Sequence, residues 1–248
     1  MLPLSLQQIT LPRWKRYYRK VRRISPANLI GYWPMWEASG SVAYDHSGQG
    51  NHGAYTGVTL GQPGIGDGRT SPLFDGVNDF NNIYSAALNA DFNRDELTIA
   101  CWAKVSGAGV WTDATERHLF RLCAATAVNG QAVIRRNTSN NTIIFVREDS
   151  GATKTISQAG LSTVNWFHVA LTISVSQNLT AAYYAGVQVN TAAADTWTDA
   201  LASNRATIGA ATTTPSAVWD GTLAHGLLYN RALPASDIAR LALVSTYP

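Results

Sequence analysis

Between residues 166 and 175 the chain alternates with a period of two. Phe167, Val169, Leu171, Ile173 and Val175 share one parity, while His168, Ala170, Thr172 and Ser174 share the other. Successive side chains of a strand point to opposite faces, so this pattern predicts a β-strand with one buried face. Leu97, Ile99, Cys101, Ala103 and Val105 repeat it. Asp75-Gly76, Asn129-Gly130 and Ser150-Gly151 punctuate the chain as turn signals, at intervals that suit an antiparallel sandwich. Helical spacing is predicted at residues 11–24 and again near 235–243, where Pro234 and Ser236 introduce it.

The first of these helices is amphipathic. At roughly 100° per residue, Leu11, Trp14, Tyr17, Tyr18, Val21 and Ile24 fall on one face, and Arg13, Lys15, Arg16, Arg19, Lys20, Arg22 and Arg23 on the other. Pro12 is tolerated in a first turn, and Pro26 ends the helix. Removing these seven cations from the 19 basic residues leaves 12 against 16 acidic ones, so the net +3 divides into +7 here and −4 elsewhere. Such a helix suits an anionic membrane, a nucleic-acid backbone, an acidic protein partner, or its own domain. We take docking on a partner as the expectation, with residues 1–28 an anchoring arm and 29–248 a single domain.

Composition bounds the rest. A length of 248 residues with 46% hydrophobic and only 14% charged content excludes disorder and provides for one sandwich core. Residues 1–10 lack a basic segment followed by an apolar run, and nowhere are there 18 consecutive apolar residues, so neither a secretion signal nor a membrane span is expected. Cys101 and Cys123 are the two cysteines and read as buried thiols.

Catalytic patterns are missing. The four glutamates, Glu37, Glu96, Glu116 and Glu148, belong to no carboxylate triplet at i, i+2, i+4, and no G-x-S-x-G, H-E-x-x-H, Walker or C-x-x-C motif occurs. The glycine-rich run 61–68 reads as a mobile loop. The tetrapeptide Trp-Thr-Asp-Ala occurs at 111–114 and at 197–200. A sugar needs a ring to stack on and polar partners for its hydroxyls, which makes Trp111, Asp113, Trp197 and Asp199 carbohydrate-binding candidates. The same tryptophans would equally suit a plug at the sandwich rim or a subunit interface.

Several segments occur in a telling order: Leu29-Ile30-Gly31-Tyr32-Trp33, the loop from Asp45 to His52, Phe74-Asp75-Gly76, Leu97 to Trp102, Trp166-Phe167-His168-Val169, Ile208-Gly209, Trp219-Asp220-Gly221 and Tyr229-Asn230-Arg231. Together they resemble the laminin-G-like domains of the concanavalin A-like lectin/glucanase superfamily. The resemblance implies an all-β jelly-roll sandwich of two antiparallel sheets, with Trp33, Trp102, Trp166 and Trp219 packed inward. It also implies a structural calcium between the Asp45–Asn51 loop and a late acidic pair. Here that pair is replaced by Ala224 and His225, so Asp45 is expected to cap a turn, and Asp45 and Asn51 are metal candidates only if calcium is bound. His46 and His52 lack a third ligand, and no cofactor is expected.

The function expected from this reading is non-catalytic. A lectin-like domain would be displayed on a virion surface, as a capsid decoration, fibre or tail-associated protein of a bacteriophage, made in the host cytoplasm and assembled as a homo-oligomer. Its arm would hold a capsid or tail, and its sandwich would contact glycans. The alternatives are a cell-associated carbohydrate-binding protein held on membrane by the basic helix, and a glycoside hydrolase.

Overall fold

The computed structural model describes residues 11–149, 152–194 and 196–244. Residues 1–10 of the arm, the Ser150-Gly151 turn and the last four residues of the domain lie outside them.

The strands run in chain order as β1 (Leu29–Trp33), β2 (Val42–Ala43), β3 (Gly53–Thr56), β4 (Thr59–Pro63), β5 (Thr70–Asp75), β6 (Phe80–Asn82), β7 (Glu96–Val105) and β8 (Arg117–Cys123). They continue as β9 (Gln131–Arg136), β10 (Ile143–Asp149), β11 (Ala152–Gln158), β12 (Phe167–Ser174), β13 (Leu179–Tyr184), β14 (Val187–Ala192), β15 (Ala206–Ile208) and β16 (Asp220–Tyr229). Helices are α1 (Arg13–Val21), α2 (Ala86–Asp91) and α3 (Ala235–Leu241). One sheet has the order β14-β13-β12-β7-β16-β5-β4 with β1 also on β16, and the other β11-β10-β9-β8-β15-β6-β3-β2. Every pairing between these strands is antiparallel. This is the predicted jelly-roll sandwich.

The core between the sheets takes the predicted parity. Leu97, Ile99, Cys101, Ala103 and Val105 of β7 meet Phe167, Val169, Leu171 and Ile173 of β12 there, with Trp33 and Trp219. Both cysteines are buried free thiols. A second apolar layer was not anticipated. The opposite face of the first sheet, with Tyr32, Ala100, Trp102, Ala170, Ala181, Ala224, Leu227 and Tyr229, is covered by Tyr17, Val21 and Ile24 from the N-terminal segment and by Ile238 and Leu241 of α3. Strand β12 is therefore buried on both faces. Its small outward residues make room for the helices.

This placement corrects the partner-docking expectation for the arm. Tyr17 and Val21 are fully buried in this same molecule and Ile24 nearly so, while Leu11, Trp14 and Tyr18 are half-buried. Apolar burial of this kind supplies most of a short helix's stability. Arg13, Lys15, Arg19, Arg22 and Arg23 stay exposed, with Arg16 and Lys20 half-buried. Of the described helices, none is long and apolar enough to cross a membrane.

Candidate functional site

The sugar-stacking candidates are not at the surface. Trp111 and Trp197 are each only 1% exposed and belong to the inter-sheet core, so neither indole offers a face to a ligand. Trp111 ends a 3-10 turn (Ala108–Trp111), donates its indole N–H to the Thr163 carbonyl at 2.8 Å, and tilts against Phe167. Asp113 is spent on Arg117 at 2.8 Å, with Arg136 at 3.4 Å. Burial raises the Asp113 carboxyl, but Arg117, the Thr115 amide and Arg136 outweigh it and hold the group below the usual carboxylate range. Trp197 meets the edge of Phe92 and lies under the Arg147 guanidinium. Its backbone neighbour Gly130 has φ +143°, and a Cβ there would fall 2.0 Å from the indole. Asp199 accepts a hydrogen bond from Asn129 at 2.5 Å. Both copies therefore serve the rim-plug alternative.

The Asp45 loop is a latch. Asp45 Oδ1 accepts from the Tyr32 and Ser47 amides, both at 2.8 Å, and Oδ2 from the Ser47 hydroxyl at 2.7 Å and the Asn51 amide at 2.9 Å. Asn51 in turn donates to the Ile30 carbonyl and accepts from the Ser85 hydroxyl, while its own carbonyl takes the Trp33 indole N–H. Four donors saturate the carboxylate. The residues present do not fit calcium, because these oxygens already have partners and Ala224 supplies no oxygen from its side chain. His52 Nδ1 accepts from the Asp45 amide. Among the described residues no cluster of three metal-ligating side chains occurs.

At the position of the missing acidic pair stands a different device. Strand β16 bulges between Ala224 and Leu227, and His225 takes a left-handed φ of +51° there. Its Nδ1 lies 2.9 Å from the Tyr32 hydroxyl and its Nε2 3.5 Å from Asp67 Oδ2. Asp67 is buried beneath α1, receiving the Trp14 amide on its carbonyl and the Arg69 amide on Oδ1. The run 61–68, read as mobile, is thus partly strand β4 and partly a pinned loop. The Tyr17 hydroxyl closes the chamber, donating to the Leu241 carbonyl at 2.9 Å and accepting from the Trp102 indole at 3.0 Å. Burial pushes His225 down against the opposing pull of Asp67, and drives His168 to about 3. The arrangement is an aromatic, hydrogen-bonded seal beneath the helix.

A cleft of about 350 Å³ lies on this same face, where β12, β13 and β14 meet the segment entering α3. Thr172, Ser174 and Tyr183 line it, and Gln177, Gln188 and Arg231 stand over them exposed. Among the described residues the heads of Gln177, Gln188 and Arg231 make no hydrogen bond or ion pair. Burial raises the Tyr183 hydroxyl, which keeps its proton. The far wall is pinned by Thr98, whose hydroxyl donates to the Arg231 carbonyl at 2.7 Å and accepts the Leu233 amide at 2.9 Å. No carboxylate lines the cleft. Tyr183 is itself only 4% exposed and gives no stacking face, so what the cleft presents to a saccharide is polar: the side-chain amides of Gln177 and Gln188 and the Arg231 guanidinium, which suit its hydroxyls. The signals that could have found it are the polar residues of one parity in β12, Thr172 and Ser174, beside the turn residue Gln177.

Residues 75–239 match the family model described as Laminin_G_3, concanavalin A-like lectin/glucanases superfamily. The chain belongs to this family. No curated protein sequence matches this laminin-G-like domain. Solved structures share its fold at low identity. Domain 4 of AbnA, a GH43 extracellular arabinanase from Geobacillus stearothermophilus, in complex with arabinotriose, has a TM-score of 0.63 at 14% identity, covering 87% of this chain and 98% of that one. The receptor binding domain of botulinum neurotoxin mosaic serotype C/D has 0.65 at 12%, covering 88% here and 51% there. Trypanosoma rangeli sialidase, in complex with sialic acid, has 0.62 at 16%, covering 93% and 37%. This laminin-G-like domain thus spans nearly all of the arabinanase domain but about half or less of the other two chains. Such identities establish the fold alone.

Proposed function

We propose that this laminin-G-like domain is a non-catalytic carbohydrate-binding module. The observation that carries the reading is the cleft beside α3, where the unengaged polar heads of Gln177, Gln188 and Arg231 stand exposed over a buried floor of Thr172, Ser174 and Tyr183. A protein of the same fold that is matched over almost its whole length supports it: the arabinanase domain is in complex with arabinotriose. Hydrolysis needs two carboxyl groups about 5–10 Å apart across the scissile bond. The glutamates here have other work: Glu37 holds the Tyr44 amide and the Tyr55 hydroxyl, Glu96 the hydroxyls of Ser174 and Ser176, Glu116 pairs with Arg135 and His118, and Glu148 accepts from Gln131.

The setting we propose is display on a larger assembly, a bacteriophage capsid or tail being the case anticipated from the sequence. With its aromatic face buried, α1 would contribute through its exposed cations, and repeated copies would make weak glycan contacts effective by avidity. Titration of arabino- and sialo-oligosaccharides against the full chain tests the site. Gln177→Ala, Gln188→Ala and Arg231→Ala should each weaken binding several-fold while leaving the melting temperature unchanged. A panel without binding, or binding indifferent to all three, would overturn the assignment.

A further inference from the structure

A second concavity of about 270 Å³ lies between α1 and α3, lined by Leu11, Arg16, Arg19, Lys20, Arg23 and Arg240. Five of these six are cations. Asp237 answers Arg240 at 2.8 Å from within α3. Lys20 turns inward, donating to the carbonyls of Arg240 and Leu243, and burial followed by the charge of Arg240 holds its ammonium below the usual lysine range. Among the described residues the guanidinium groups of Arg19 and Arg23 make no hydrogen bond or ion pair. Gathering like charge in a concavity raises the energy of the folded chain, and a bound anion removes that cost.

We propose that this groove binds a tetrahedral oxyanion, a phosphate or sulfate group. Arg16 and Arg19 lie about one turn apart on α1, roughly 4.5 Å along its axis, and Arg23 follows in the turn just past the C-cap Arg22, on the same groove. The guanidinium forks of Arg19 and Arg23 match such an anion two hydrogen bonds at a time, with Arg16 and Arg240 adding charge at the groove wall. The groove has no aromatic ring on which a nucleobase would stack. A lipid surface is also disfavoured, because the apolar face that would insert is buried in the sandwich. Two sources share the chemistry: the free ion and an ester group on a polysaccharide. The groove does not depend on the cleft binding sugar. Arg240 lines one and Ala235 the other, about 7.5 Å apart along α3.

Calorimetric titration of the full chain with pyrophosphate, and separately with dextran sulfate against neutral dextran, tests this. Pyrophosphate should bind. The pair Arg19→Gln/Arg23→Gln should weaken it about ten-fold or more. Arg13→Gln/Lys15→Gln removes the same charge outside the groove and should weaken it by less than about three-fold. Dextran sulfate binding with the same sensitivity assigns the polysaccharide source, and pyrophosphate binding alone assigns the free ion. Binding of neither, or equal losses in both pairs, overturns the site. Should the glutamine pair fail to fold, Arg19→Lys/Arg23→Lys keeps the charge and removes the forks. It should still bind more weakly than the parent, and undiminished binding overturns the proposal.

Discussion

Trp111 and Trp197 open identical tetrapeptides, and each closes an opposite end of the same sandwich beside a buried arginine of β9 or β10. Their apolar roles coincide, but their polar wiring does not. At the Trp111 end the indole N–H has an acceptor in Thr163, its own carbonyl takes Arg136 at 2.8 Å, and Asp113 compensates two guanidinium groups. At the Trp197 end the indole N–H finds no acceptor among the described residues, and Asp199 holds one asparagine. Four residues fix what kind of plug forms. Partners far away in sequence fix how tightly it is held.

The largest test of that contrast is truncation of the plugs. Trp111→Ala should cost about 4 kcal/mol and Trp197→Ala about 3, since both leave a large cavity but only the first also breaks an indole hydrogen bond. Guanidinium denaturation measures both, and a reversed order would break the comparison. Next come the aspartates. Asp113→Ala should cost about 2 kcal/mol, discounted because the side chain is partly solvated, against about 1 for Asp199→Ala.

The smallest effect is in acid. With its folded pKa held below the unfolded value near 4, Asp113 contributes stability that is complete above that value and lost as pH falls through the folded one. His118, on the strand that carries Arg117, is driven to about 3 by burial and then by Arg121. Its contribution is complete above about 6.5 and is lost progressively as pH falls from there toward 3. Asp113→Asn should therefore flatten the melting profile only below pH 4, and His118→Gln between 6.5 and 3. Identical profiles in all three proteins would remove the electrostatic half of the contrast.

Much of this architecture is legible in the sequence, because alternation reports a strand and its parity directly. Leu97 to Val105 and Phe167 to Ile173 lie in the core as predicted. Alternation does not report what lies beyond the second face. His168, Ala170, Thr172 and Ser174 read as solvent-facing, yet all four are buried: Ala170 in the layer beneath the helices, His168 against Trp102, and Thr172 and Ser174 in the floor of the cleft. The amphipathic pattern of α1 gives an apolar face but not its address, since own sandwich and foreign partner ask for the same stripe. Helix α2 escaped because six residues are too few for periodicity, although Ser85, whose hydroxyl accepts the Leu88 amide, is a cap that marks it. The tryptophan candidates failed for a plainer reason. Polar flanks do not say which way a ring points.

The pairing of β1 with β16 has a consequence for synthesis on the ribosome. Leu29 meets Tyr229 across that ladder, and α1 rests on the same late strand. An early hairpin can zip up as soon as it emerges, but here the first strand must wait for some two hundred further residues before its partner exists. Until then its apolar side chains and the greasy stripe of α1 stand unshielded, and the last stretch to appear completes both layers at once.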